Sequence, residues 1–204
     1  LEVDAWHAVR IDSGAANLTL DPGLKQRTPI TARNLGNAPA SIVARVVPLG
    51  ADGEPLPGID PAISFLHDGW LVGIFNIHLL NGPGAQGMLP YTAVTVDLEV
   101  QPPSQSSGDI RIGVVVWSAM NPYEPVMIEV NATIVWERAG AFVVDDDCQD
   151  DLLPNGFCNS AISVTNNGNF EDTFEIVVES TDWLHVDLSR SLIVVPKGET
   201  VEAA

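Results

Sequence analysis

The chain has 204 residues, 46% of them hydrophobic, which is enough material for one large or two ordinary domains with packed cores and argues against disorder. Nine Lys and Arg stand against 27 Asp and Glu, a formal charge of -18, so a phosphate backbone would be repelled and nucleic acid is excluded as a natural partner. No apolar run approaches the 18 or more residues of a membrane-spanning helix.

Leu1 opens the chain without a basic, then apolar, leader pattern, as a mature or excised terminus would. Residues 3–11 alternate loosely and predict an opening strand that ends at Asp12-Ser13-Gly14. Leu18 and Leu20 mark a second short strand before the turn at Asp21-Pro22-Gly23. Residues 28–33 follow as a strand, then a turn at Asn34-Leu35-Gly36-Asn37, then a strand over 40–47 with Ile42, Ala44 and Val46 inward. Residues 50–60 are rich in Gly, Pro and Asp and read as an exposed loop. Residues 70–80 fit a strand better than a helix, because Gly73 lies inside and Gly82-Pro83-Gly84 follows. Residues 88–100 alternate cleanly, with Val94, Val96, Leu98 and Val100 on one face. Residues 110–120 and 126–136 form a last pair joined by Asn121-Pro122-Tyr123-Glu124-Pro125. No helix is convincing.

From Arg138-Ala139-Gly140 the order begins again. Phe142-Val143-Val144-Asp145 mirrors Val9-Arg10-Ile11-Asp12, and the turn at Pro154-Asn155-Gly156 mirrors Pro22-Gly23. Residues 163–179 then read as a β-hairpin around Asn166-Asn167-Gly168-Asn169, a copy of residues 31–47 displaced by 132 positions. Trp183 follows as Trp70 does. Residues 192–195, Pro196-Lys197-Gly198 and residues 199–201 match the approach to the strand at 88–100. The expectation is an all-β chain of two tandem immunoglobulin-like antiparallel β-sandwiches, residues 1–138 and 139–204, with a barrel as the rival architecture. The second sandwich lacks its last strands at the C-terminus, and either further chain or strand addition from a neighbouring copy would close it.

A turn of the form N-x-G-N after a strand, then an apolar alternation, a Trp, and a Pro/Gly turn opening a long strand resembles the tandem immunoglobulin-like repeats of bacterial and archaeal surface and secreted proteins. The nearest group is the cell-adhesion-related domain found in bacteria. The likeness is best over 142–201 and looser over 9–136, where 50–66 and 70–87 exceed the pattern. Such modules carry no catalytic residues. The resemblance implies a structural, adhesive or spacer role outside the cell or at its surface, in contact with neighbouring domains or copies.

Asp145, Asp146, Asp147, Asp150 and Asp151 cluster just past the boundary. Either they form a solvated loop or they supply oxygens to calcium, although the spacing is not that of an EF-hand. Cys148 and Cys158, the two cysteines, bracket this loop and suit one short disulfide in an oxidising compartment, against the alternative of two free thiols. Asn17-Leu18-Thr19 and Asn131-Ala132-Thr133 are N-glycosylation sequons. His7, His67, His78 and His185 are scattered without metal-ligand spacing, and neither a nucleophile elbow nor a phosphate loop occurs, so an enzyme is not expected. The competing role is a carbohydrate-binding accessory module attached to a secreted enzyme, which needs exposed aromatic residues on a sheet face. Trp70 and Trp183 read as core; Trp6, Trp117 and Trp136 are not placed by the pattern.

Overall fold

The computed structural model describes residues 4–14, 16–105, 107–145, 156, 158–179 and 185–203. It is all-β and divides into two compact units that meet between Val135 and Trp136.

The first unit contains β1 (Val9–Ser13), β2 (Asn17–Leu20), β3 (Gln26–Asn34), β4 (Ile42–Leu49), β5 (Ser64–His67), β6 (Trp70–Phe75), β7 (Ala93–Gln101), β8 (Asp109–Ser118) and β9 (Asn121–Ile134). One sheet runs β1-β3-β7-β6-β5 and the other β2-β9-β8-β4, the order of an immunoglobulin-like sandwich. Every strand pair is antiparallel except β2–β9, where Asn17 to Leu20 run parallel to Asn131 to Ile134. This arises because the opening strand changes sheets: β1 pairs with β3, and after Gly14 the chain crosses to the edge of β9. The core between the sheets follows the period-2 pattern, with Ile11, Ile30, Ala32, Val72, Val96 and Leu98 facing Ile42, Ala44, Val46, Ile112, Val114, Val130 and Ala132. A smaller cluster lies outside the second sheet, where Val47, Leu49 and Val115 pack with Ile59 of the 50–60 loop and with Trp117. Arg111 fastens that loop, since it donates to the Gly50 and Ala51 carbonyls while paired with Glu129 at 2.7 Å.

Three expected elements are shorter than the alternation suggested. The strand from Trp70 stops at Phe75, because Asn76 turns left-handed (φ 62) and a 3-10 turn covers Ile77–Asn81. The strand expected from residue 88 begins at Ala93, since Tyr91 is also left-handed (φ 61) and Met88 only bridges to Ala40. The linker expected at 121–125 is already strand, and Ala119 and Met120 make the turn.

The second unit holds β10 (Gly140–Asp145), β11 (Ala161–Asn166), β12 (Asp172–Glu175), β13 (Leu192–Val195) and β14 (Thr200–Ala203). Its sheets run β10-β11-β14 and β12-β13. The register repeats the first unit closely. Asn166 pairs with Gly140 as Asn34 pairs with Val9, and Asp172 pairs with Val195 as Ala40 bridges Met88. Val164, Ile193, Val195 and Ala203 make its core, with Ile162, Phe174, Ile176 and Val201 packed against them. Counterparts of β8 and β9 are not present among the described residues.

The structure corrects the hairpin reading of 163–179. β11 is already paired on both sides, by β10 and β14, so β12 cannot pair with it and enters the other sheet. The same holds for β3 and β4. The N-x-G-N segment is therefore an arch between sheets.

Candidate functional site

Two features stand out once the repeats are superposed by register: a polar corner that both units share, and an apolar face that only the second leaves open.

At the corner, Asn34 is fully buried, and its Nδ2 donates to the carbonyls of Ala38 (2.9 Å) and Met88 (2.8 Å) while Oδ1 accepts the Gly36 N–H (2.9 Å). Asn166, 1% exposed, does the same with Phe170 (2.7 Å), Val195 (2.8 Å) and Gly168 (2.8 Å). A buried amide with both protons and its oxygen engaged fixes the arch without leaving an orphan polar group. The closing asparagines repeat as well: Asn37 Oδ1 accepts the Trp6 N–H, and Asn169 Oδ1 accepts the Glu137 N–H. Gly36 and Gly168 lie under the incoming segment, where a Cβ would strike the carbonyl oxygen of Trp6 or Glu137. The sequence marked these residues as turn formers; their burial and long-range bonds were not visible in it.

The apolar face belongs to the second unit. Gly140, Phe142, Val144, Ile162, Val164, Phe174, Ile176 and Val178 are among the residues lining an open trough of about 570 Å³. In the first unit the matching positions are covered by β8 and β9. By register Phe142 stands where Ile11 stands, yet Phe142 is 75% exposed and Ile11 is 4%. Val178, 132 positions after Val46, is 40% exposed where Val46 is 0%. Phe174 fits against this face because position 140 is glycine; a Cβ there would meet the Phe174 ring at 2.5 Å. One expectation is direct. Ile11→Val removes a buried methyl group and should cost about 1 kcal/mol, whereas Phe142→Leu should change stability by less than about 0.5 kcal/mol in urea unfolding of the same chain.

Glu99 is the one buried carboxylate among the described residues, although the alternation puts it on the face opposite Val96, Leu98 and Val100. It does face outward on β7, but Arg27 (2.8 Å) and Lys25 (3.5 Å) close over it, and Arg27 also lies 5.0 Å above the Phe75 ring. The hydrogen bond from Arg27 holds the Glu99 carboxyl below the ordinary carboxylate value, against an opposing push from burial, with Lys25 assisting. With the folded-state value lowered, this contribution is complete above the ordinary carboxylate range and is lost as pH falls through the lowered value. Glu99→Gln should thus cost about 1–2 kcal/mol at pH 7, with the gap to wild type closing as pH falls through the lowered carboxyl value in thermal unfolding. The arrangement is an ion-pair clamp.

Of the other expected site residues, Asp145 ends β10 opposite Ala161 and is exposed. Asp146, Asp147, Asp150, Asp151 and Cys148 lie outside the described residues, as does Trp183. Among the described residues no group of three or more His, Cys, Asp or Glu could hold a metal. Cys158 is exposed, and its pairing with Cys148 stays a proposal. Asn17 and Asn131 come together: they are directly paired on β2 and β9, with Asn131 Nδ2 donating to Asn17 Oδ1 at 3.4 Å. Trp70 is buried; Trp117 and Trp136 are half-buried, the latter edge-on to Phe170 with ring centroids 4.2 Å apart. Trp6 is 55% exposed but precedes β1 and is not on a sheet face. No helix among the described residues is long and apolar enough to cross a membrane.

No protein-family model matches the chain, and no curated protein matches it. Solved structures with a similar outline include a family 123 glycoside hydrolase from Clostridium perfringens, 7% identical, with a TM-score of 0.39 over 63% of this chain. The chain spans 27% of that hydrolase. The periplasmic chaperone SfaE is 11% identical at a TM-score of 0.33, covering 97% of this chain and 86% of its own. The major pilin subunit of Bacillus cereus, BcpA, is 10% identical at 0.26, covering 96% and 66%. Likenesses this distant carry no functional argument.

Proposed function

We propose that this chain is a non-catalytic module of a larger surface or secreted protein, with a structural, adhesive or spacer role. The observation that carries the reading is the repeated corner: two units of different size preserve the same buried asparagine, the same three side-chain bonds and the same covered glycine. Tandem copies of one sandwich plan build length and display surface, and neither needs a catalytic constellation. The acidic surface, the Cys148–Cys158 pair and the sequons at Asn17 and Asn131 favour an extracellular setting. Because those two asparagines adjoin, a glycan on one would crowd the other. A calcium ion at Asp145, Asp146, Asp147, Asp150 and Asp151 would relieve repulsion beside the boundary.

Small-angle scattering and electron microscopy of the natural full-length protein test the reading. It predicts an elongated or polymeric particle; a compact hydrolytic enzyme with its active site in these residues would refute it. The second reading, a carbohydrate-binding accessory module, is favoured by the exposed ring of Tyr123 on β9. It predicts glycan-array binding that is lost in Tyr123→Ala, and an empty array would remove it.

A further inference from the structure

The outer edge of β5 is uncharged and apolar, in a chain whose net charge is -18. β5 ends the five-stranded sheet of the first unit, and among the described residues only β6 pairs with it. The Ile74 N–H donates to the Ile63 carbonyl at 3.0 Å, so the alternation of an antiparallel ladder turns the main-chain groups of Phe65 and His67 towards β6. Those of Ser64 and Leu66 point the other way, to the open edge. Trp70, Val72 and Ile74 are buried in the core, so Leu71, Gly73 and Phe75 face outward from β6. The register carries Leu66 out beside Leu71, and Ser64 beside Gly73. Leu66 is 73% exposed and Leu71 46%. The other outer strands of this unit are blunted by charge or proline. β1 carries Arg10 and Asp12, β4 carries Arg45 and Pro48, and β9 beyond its pairing with β2 carries Glu124, Pro125 and Glu129. β5 has no Asp, Glu, Lys, Arg or Pro.

We propose that the β5 edge docks a second copy of this chain, the two β5 strands pairing antiparallel about a two-fold axis at Phe65. The occupant follows from self-complementarity. In that register Ser64 of each copy lies opposite Leu66 of the other, and the main-chain groups that face the open edge satisfy one another. The outward rows then match in size: Leu71 and Leu66 of one copy run into Ser64 and Gly73 of the other. Each Leu66 gains a small neighbour and the Phe75 ring behind it, which lies 3.5 Å from where a Cβ on Gly73 would stand. On the inner side the two half-buried Phe65 residues come directly opposite, in a non-hydrogen-bonded pair where side chains approach closely. Charge selects the same place. Two chains at -18 repel over most of their surfaces, and β5 is the outer strand of the first unit where contact sets no like charges together. A strand pair this short buries less area than a permanent dimer, so the expected dissociation constant is on the order of 0.1 mM. Copies held close together would pair through it by effective concentration.

The inference deepens the module reading by naming a partner, and it rests on that reading. Its test uses the whole 204-residue chain, in sedimentation equilibrium and residue-resolved amide exchange. Sedimentation should show a monomer–dimer equilibrium. Between about 10 μM and about 1 mM, exchange should slow about fourfold at Ser64 and Leu66 and stay unchanged at Phe65 and His67, which already face β6. Leu66→Glu, at an exposed position, should weaken association about tenfold or more without moving the thermal midpoint of the monomer. Ser64→Lys/Leu66→Glu sets a lysine against a glutamate at both points and should recover association, more so at low salt. A chain that is still monomeric at about 1 mM, or a dimer indifferent to Leu66→Glu, would overturn the proposal. So would a double variant no better than Leu66→Glu, or concentration-dependent protection mapped elsewhere. Protection of Ser64 and Leu66 at every concentration would also overturn it, by giving the edge to another segment of the same chain. A non-catalytic, elongated protein that stays monomeric would sink this inference and leave the module reading standing.

Discussion

Asn34→Asp should destabilise the first unit by about 3–4 kcal/mol at pH 7, as much as Asn34→Ala, although the side chain barely changes shape. The amide nitrogen lies 2.9 Å from the Ala38 carbonyl oxygen and 2.8 Å from that of Met88, and it donates a proton to each. A carboxylate oxygen in that place faces two acceptors with no proton to give, and it is buried. The loss should be smaller at pH 4 than at pH 7, because the protonated carboxyl can donate to one of the two carbonyls while the ionised form can donate to neither. Asn166→Asp should behave alike in the second unit, opposite Phe170 and Val195. Urea unfolding followed by tryptophan fluorescence at both pH values checks the pair. An aspartate variant as stable as wild type would mean that the amide protons are not holding the arch.

The glycine of the same corner should be almost as sensitive. Gly36→Ala should cost on the order of 3 kcal/mol and Gly168→Ala a similar amount. The reason is steric and not conformational. Neither glycine has a left-handed backbone, so alanine could adopt the local geometry; the obstacle is the backbone oxygen of Trp6 or Glu137, which cannot swing aside as a side-chain tip would. Gly58→Ala and Gly84→Ala are useful contrasts. Both glycines are left-handed with open space around them, so alanine there is strained by the backbone alone, at about 1 kcal/mol. A thermal melt in which Gly36→Ala matched Gly84→Ala would argue against the close approach.

The strand content was readable because buried strands announce themselves by alternation. Val94 to Val100 and Val126 to Ile134 do so, and β7 and β9 lie there. The internal repeat was equally readable, down to the match of residues 192–201 with the approach to β7. What the alternation could not show was which strands pair. Residues 31–47 and 163–179 have the look of hairpins, but an N-x-G-N turn in one dimension does not reveal that both edges of β3 and β11 are already taken. The parallel β2–β9 pair was hidden for a similar reason, since a four-residue strand carries no mark of its partner's direction. Tyr91 and Asn76 interrupt apolar runs by turning left-handed, which side-chain type alone does not disclose. Glu99 needed the third dimension too: only the fold brings Arg27, 72 positions earlier, onto its carboxylate.

The central claim is that both units follow one plan, locked at the same corner, and that the second leaves open the edge which β8 covers in the first. Residue-resolved amide hydrogen exchange on the intact chain tests it most directly. The amides of Gly36 and Gly168, each donating to a buried asparagine oxygen, should be among the slower ones of their own units. Arg45 should exchange slowly under β8, while its counterpart Val177 should exchange roughly a hundredfold faster than Gly168 within the same unit. Fast exchange at both glycines, or a Val177 amide as slow as that of Gly168 in the monomeric, unliganded chain, would contradict the account.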